Sequence, residues 1–332
     1  MQKTILLGLF AGLCALTGCK TGSSDASAAE ADSTEICPVT FSGDSALAYA
    51  TAQCDFGART PGSEAHRKCG DYIVQQFRRH GLSVCEQTAP LQLWDGKKYH
   101  CRNIIAAYNP DAQARILLCA HWDSRPWADA DPDSTRHRSP VLAANDGASG
   151  VAVLLEVARA LQALKPAIGI DMICFDLEDY GAPYWAEAQA PDDGSDWCVG
   201  SRYWAENPHK AAYTARYGVL LDMVGGENAH FRYEGVSMRY APGVVARVWA
   251  AARTAGYAEI FPEKEGGWIT DDHVPLNEIA GLPTIDIIPY YEGTNSFGPT
   301  WHTTKDTPEH LSANTLQAVG QTLLQLIYQE EP

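Results

Sequence analysis

The sequence predicts a single α/β domain in which a central mixed, largely parallel, twisted β-sheet is flanked by helices. Three observations predict it. Short apolar runs alternate with longer segments of helical period. The apolar runs lack polar alternation, as do strands buried on both faces. From about residue 40 onward, no long linker or internal repeat interrupts the alternation.

Taken in order, residues 65–80 have helical periodicity, with Ser63 placed as N-cap and Gly81 as the stop. Residues 115–120 (RILLCA) form a buried strand. Residues 151–164 are an apolar helix entered through Gly147, Ala148, Ser149 and Gly150. Gly169–Phe175 and Gly218–Leu221 are further buried strands. Residues 242–255 read as a helix closed by Gly256, residues 283–288 as a strand, and residues 312–328 as a terminal helix capped by Ser312.

The chain has 332 residues, 45% of them hydrophobic and 20% charged, which excludes collagen-like and wholly disordered classes. Its 25 basic against 41 acidic residues give a formal charge of -16. No basic stripe is present, so nucleic acid is excluded as a partner. Residues 1–18 read as an export signal: Lys3, then an apolar run from Ile5 to Leu16 that is short for a membrane span. Leu16-Thr17-Gly18-Cys19 resembles the lipobox of bacterial lipoproteins, which implies a lipid on Cys19. Residues 19–36 then read as a flexible tether, and residues 37–332 as the functional domain. An exported, periplasm-facing, membrane-anchored lipoprotein is expected. Eight of the ten cysteines lie beyond the leader, and export permits disulfides whose pairing spacing does not reveal.

Polar residues gather where strands end. Residues 115–120 run into His121-Trp122-Asp123, Gly169–Phe175 into Asp176-Leu177-Glu178-Asp179, and Gly218–Leu221 into Asp222. In open α/β sheets, ligands bind beyond the carboxyl ends of strands. Any one of these acids also fits a helix cap or a turn. Together with His121 they point to a metal site of oxygen donors and histidine, drawn from Asp146, Glu178 or Asp179, Asp222, His121 and His302. That mixture suits a catalytic zinc, since structural zinc favours cysteine. In the pair Glu178-Asp179, one carboxylate can bind metal while the other keeps a shifted pKa for proton transfer. Asp129, Asp131 and Asp133 read as a solvated or capping loop. Trp94, Trp197, Trp204 and Trp249 read as packing residues, and His66 as a surface residue.

His121-x-Asp123, Asn145-Asp146-Gly147-Ala148-Ser149-Gly150, Glu178-Asp179, Leu221-Asp222 and His302-Thr303-Thr304 resemble, in order and spacing, the zinc aminopeptidase (M28-type) superfamily. Arg59-Thr60-Pro61-Gly62-Ser63 resembles its N-terminal signature. Trp301-His302, the segment Ile269-Thr270-Asp271-Asp272-His273-Val274-Pro275, and Phe297 resemble the glutaminyl cyclase branch; His121-Trp122-Asp123-Ser124-Arg125 resembles its bacterial members. Two departures stand out: Asp179 and Thr270 occupy positions where animal cyclases carry Glu and Gln.

The resemblance implies closure of an N-terminal glutamine to pyroglutamate with loss of ammonia. It implies one zinc ion per chain, held by Asp146, Asp179 and His302, with Glu178 moving the proton. It places Asp222 and Asp271 as a carboxyl pair beside Glu178, and Trp301, Phe297, Ile269 and Trp185 around the substrate, with Tyr184 fitting about as well as Trp185. Peptides and proteins with N-terminal glutamine are the implied partners, and a monomer is expected. The competing expectation is an aminopeptidase with two zinc ions, the second on His121 and Asp222 with Asp146 bridging.

Overall fold

The computed structural model describes residues 35–293 and 296–332. The expected signal, most of the tether and the lipidation position Cys19 lie outside the described residues. The six strands are β1 (Ser83–Gln92), β2 (Lys98–Tyr108), β3 (Arg115–His121), β4 (Gly169–Phe175), β5 (Gly218–Leu221) and β6 (Thr284–Ile287). They form one sheet in the order β1-β2-β4-β3-β5-β6. β4, β3, β5 and β6 run parallel, while β1 and β2 join antiparallel at one edge. The sheet is therefore mixed and mostly parallel, as the sequence predicts.

Side-chain alternation sorts the core into two layers. Ile116, Leu118 and Ala120 of β3 face one core, lined by α2 (Glu64–Arg79), α3 (Ala148–Leu164), α6 (Pro242–Thr254) and α8 (Ala313–Tyr328). Leu117 and Cys119 face the other, with Trp204 of α4 (Val199–Glu206) and Leu276 of α7 (His273–Glu278). α2 begins where expected: the Ser63 hydroxyl accepts from the His66 amide. The hairpin β1–β2 and the helix α1 (Gly43–Cys54) are not foreseen from sequence. In β1 only Ala89 is buried, so it carries no apolar pattern to read.

α3 sits directly over the strand ends. A Cβ on Gly150 would come within 2.4 Å of the Leu221 carbonyl oxygen and 2.8 Å of the Ala120 methyl, so only glycine lets the helix approach this closely. Because β4, β3, β5 and β6 are parallel, their carboxyl ends share one sheet edge. His121, Asp176–Asp179 and Asp222 leave the sheet there. The eight cysteines among the described residues form no disulfide; all but Cys85 are buried.

Candidate active site

Of the chain segments that deliver the site residues, four hold a residue in a costly backbone conformation. Leu177, Met223, His302 and Ala143 all have positive φ, between 50° and 58°. For residues other than glycine, such conformations persist only where surrounding bonds enforce them. The Asp123 carboxylate is one such enforcer, accepting from the amides of Glu178 (3.1 Å) and Asp179 (3.2 Å). Asp306 does the same for the loop before α3, accepting from Asn145 (2.7 Å) and Asp146 (3.0 Å). Asp131 accepts from the Thr304 amide (2.9 Å) and hydroxyl (2.6 Å), fixing the loop that carries His302.

Asp146, Asp179 and His302 are buried, and their ligand atoms lie within 4.8 Å of one another. Asp179 Oδ2 is buried with no hydrogen-bond partner, and His302 Nε2 stands 3.3 Å from Asp179 Oδ1 and 3.6 Å from Asp146 Oδ2. Two carboxylates and an imidazole converging with an unspent carboxylate oxygen match the chemistry of a divalent cation such as zinc. A second trio abuts it: His121 Nε2 lies 3.1 Å from Asp146 Oδ1 and 3.2 Å from Asp222 Oδ1.

Glu178 stands beside these ligands. Burial raises its carboxyl well above the usual range; Asp179 and Asp271 push the same way, and His121 opposes them. Burial and Asp222 push Asp271 up to about 7, and burial lifts Asp222 to about 6. Glu178 Oε1 and Asp271 also sit with the buried thiol of Cys198, which is 3.5 Å from Glu178 Oε1.

Glu178, Asp271, Asp222, Asp146 and His302 open onto one cavity of about 190 Å³. Ile269, Phe297, Trp301 and Trp197 supply its apolar walls. The rings form a continuous stack: Phe297 on Trp301 (4.7 Å), Trp301 on His302 (3.7 Å), and His302 parallel to Trp197 (6.0 Å). The structure thus brings together all the expected site residues except Trp185. That ring lies outside the cavity lining, stacked parallel to His137 at 6.4 Å with the Arg138 guanidinium 4.8 Å away. The neighbouring Tyr184 is exposed and hydrogen-bonded to His137.

Several readings need correction. Trp197 is a cavity wall rather than mere packing. Asp129 is not solvated: it lies 3.5 Å from His302 Nδ1 and binds Arg125. Asp131 is buried as well, but it accepts from the Asp133 and Thr304 amides, and Asp133 caps the turn Ser134–Arg136, so the capping reading holds for these two. His66 is buried, stacked on Trp122 at 4.1 Å and bonded to Asp176 at 2.8 Å. Asp176 also accepts from the Arg102 amide, so this strand-end acid serves the fold. Arg125 went unassigned in sequence; its place four residues after His121, ahead of three alternating aspartates, is the signal that could have found it.

The family model described as Peptidase family M28 matches residues 103–327, spanning the second half of β2, every strand from β3 onward and all the ligand positions. The chain belongs to peptidase family M28. Within M28 it is similar to the glutaminyl cyclase of Bacteroides thetaiotaomicron, solved with N-acetylhistamine, at 48% identity and a TM-score of 0.86, covering 88% of this chain and 99% of that one. The glutaminyl cyclase of Tannerella forsythia is similar at 48% identity and a TM-score of 0.85, covering 88% and 100%. Aminopeptidase YwaD of Bacillus subtilis is 28% identical over 79% of this chain, and the match spans only about half, 52%, of that longer relative.

Proposed function

We propose that this M28 chain is a zinc-dependent glutaminyl-peptide cyclotransferase, converting the N-terminal glutamine of peptides and proteins to pyroglutamate. One observation carries the reading: a small aromatic-walled cavity places Glu178 next to the trio Asp146, Asp179 and His302. The 48% identity to bacterial glutaminyl cyclases over nearly their whole length supports it.

In the reaction, the substrate's α-amine attacks its own side-chain amide carbon. A C–N bond forms to close a five-membered ring, and the C–N bond to the leaving nitrogen breaks. One zinc ion on Asp146, Asp179 and His302 would polarise the amide carbonyl under attack. The cavity walls fold the flat glutamyl side chain toward its amine, and this orientation lowers the barrier to an intramolecular step. Glu178 takes a proton from the attacking amine and delivers one to the leaving nitrogen, which departs as ammonia. Its raised pKa suits a group that must both accept and release a proton. Asp271 and Asp222 line the same cavity, where burial favours the neutral form of each and the Asp222 charge adds to this at Asp271. The apolar walls keep water from competing as nucleophile.

The test is ammonia release from a Gln-β-naphthylamide substrate without loss of the naphthylamine. Hydrolysis of Leu-p-nitroanilide instead would favour the second reading, a dinuclear aminopeptidase, for which the adjoining trio His121, Asp146 and Asp222 speaks. Zinc per chain separates the two, at one for the cyclase and two for the peptidase. The assignments of residues 1–18 as signal, 19–36 as a tether lipidated at Cys19, and 37–332 as a monomeric, periplasm-facing catalytic domain rest on sequence. Among the described residues no helix is long and apolar enough to cross a membrane. Loss of membrane association in Cys19→Ser would support the anchor; an unchanged distribution would remove it.

A further inference from the structure

We infer that Arg125 is a positioning residue that locks the ligand side of the site to its aromatic wall. The inference rests on the metal trio proposed above. Arg125 is 1% exposed and is absent from the cavity lining, so it acts through its neighbours. Its Nε and Nη2 donate to the two oxygens of Asp129 at 2.7 and 2.6 Å. Its Nη1 faces the carboxylate and the carbonyl of Asp179 and the carbonyl of Gly181, each at 3.3 Å. The plane of the guanidinium lies against Trp197, 4.7 Å from the ring centre.

Each contact has a distinct consequence. Asp129 Oδ1 is 3.5 Å from His302 Nδ1, so the anchored carboxylate orients the imidazole and turns Nε2 toward Asp146 and Asp179. Asp179 is one methylene shorter than glutamate, and the guanidinium holds both its backbone and its carboxylate in place. Trp197 packs against Gly181, where a Cβ would come within 2.0 Å of the indole, and it lines the cavity with its ring parallel to that of His302. One planar fork of five donors therefore spans two arms of the metal trio and one wall of the substrate slot. The compact ammonium of lysine cannot span the same partners.

The test compares wild type with Arg125→Ala, Arg125→Lys and Asp129→Asn. Zinc dissociation is read by chelator competition with no substrate present, the geometry of the site by the visible spectrum of the Co²⁺-loaded protein, and KM separately from kcat. Arg125→Ala is expected to hold zinc about tenfold to a hundredfold more weakly and to raise KM. Arg125→Lys should recover only part of the zinc affinity. Asp129→Asn, which leaves Trp197 supported, should weaken zinc and shift the Co²⁺ spectrum with less effect on KM.

If Arg125→Ala fails to fold, the Lys and Asn variants decide by the same readouts. Zinc affinity and KM within about threefold of wild type in the folded variants would overturn the inference. Wild-type protein that binds no zinc would overturn it too. Wild-type protein that fails to cyclise glutamine, while the variants lose zinc as expected, would sink the cyclase reading and leave the role of Arg125 standing.

Discussion

Glu178 and Asp179 are neighbours in sequence with different work, and both follow the αL turn at Leu177. Asp179 points into the trio with Asp146 and His302, while Glu178 faces the cavity with Asp271. If Glu178 moves the proton and holds no metal, its amide analogue should keep zinc and lose turnover. Glu178→Gln is expected to retain about one zinc per chain and to lose roughly 10²–10⁴-fold in kcat with little change in KM. Metal content and steady-state kinetics on a Gln-peptide check both halves. A variant within tenfold of wild-type kcat removes Glu178 from its role. Asp271, in the same cavity, was legible as a candidate only through the resemblance of the segment Ile269-Thr270-Asp271-Asp272-His273-Val274-Pro275 to the cyclase branch. Trp197 was not, because nothing in one tryptophan among nine tells wall from core.

At the scale of elements, the loop that presents Ile269 depends on one buried carboxylate. Glu234 caps the helix α5 (Gly235–Tyr240), accepting from the amides of Val236 (2.8 Å) and Ser237 (2.7 Å). The same carboxylate accepts from the Ile269 amide at 3.0 Å and meets His273 Nε2 at 3.1 Å. Burial alone would raise its pKa, but the His273 contact and these bonds lower it to about 2. A folded-state pKa below the unfolded value contributes stability that is fully present above about pH 4.5 and is lost as pH falls through about 2. Glu234→Gln should therefore flatten that part of the acid limb of a stability-versus-pH curve. It should also raise KM at neutral pH by loosening the Ile269 wall, and an unchanged acid limb would refute the assignment. A second prediction concerns α3, which ends at Lys165 with φ 50° and ψ 54°. Glycine takes this left-handed cap without steric cost, so Lys165→Gly should stabilise the protein by up to about 1 kcal/mol with activity unchanged, as read by urea denaturation. The central strands and α3 were legible because burial on both faces leaves uninterrupted apolar runs. β1 was not, since its mostly exposed pattern resembles a loop.

Across the whole molecule, the acid excess has two populations. Among the described residues many acids are exposed and many are buried, and of the latter kind Asp146, Asp179, Asp222 and Asp271 meet, with Glu178, at one sheet edge, where parallel strands and two loops distant in sequence converge. The strand-end residues of this set could be read from sequence because β3, β4 and β5 each run straight into a polar residue. The partners that hold them could not. Asp123 meets the Glu178 amide from 55 residues away and Asp306 meets the Asp146 amide from 160, and such pairings exist only once the fold is formed. This convergence predicts that the stability of the fold depends on a bound cation. Buried carboxylates at these separations repel one another, and Arg125 is the buried side-chain guanidinium that reaches the trio. A divalent ion bound only by the native state should therefore stabilise the whole domain by mass action. Dialysis against a chelator is expected to lower the melting temperature by on the order of 5–10 °C, with zinc restoring it in proportion to the logarithm of its free concentration. Calcium or magnesium at equal concentration should restore little, because the histidine in the donor set favours zinc over harder ions. Equal melting temperatures with and without chelator would mean that the five acids are accommodated by protonation alone, and the metal trio would lose its role in stability.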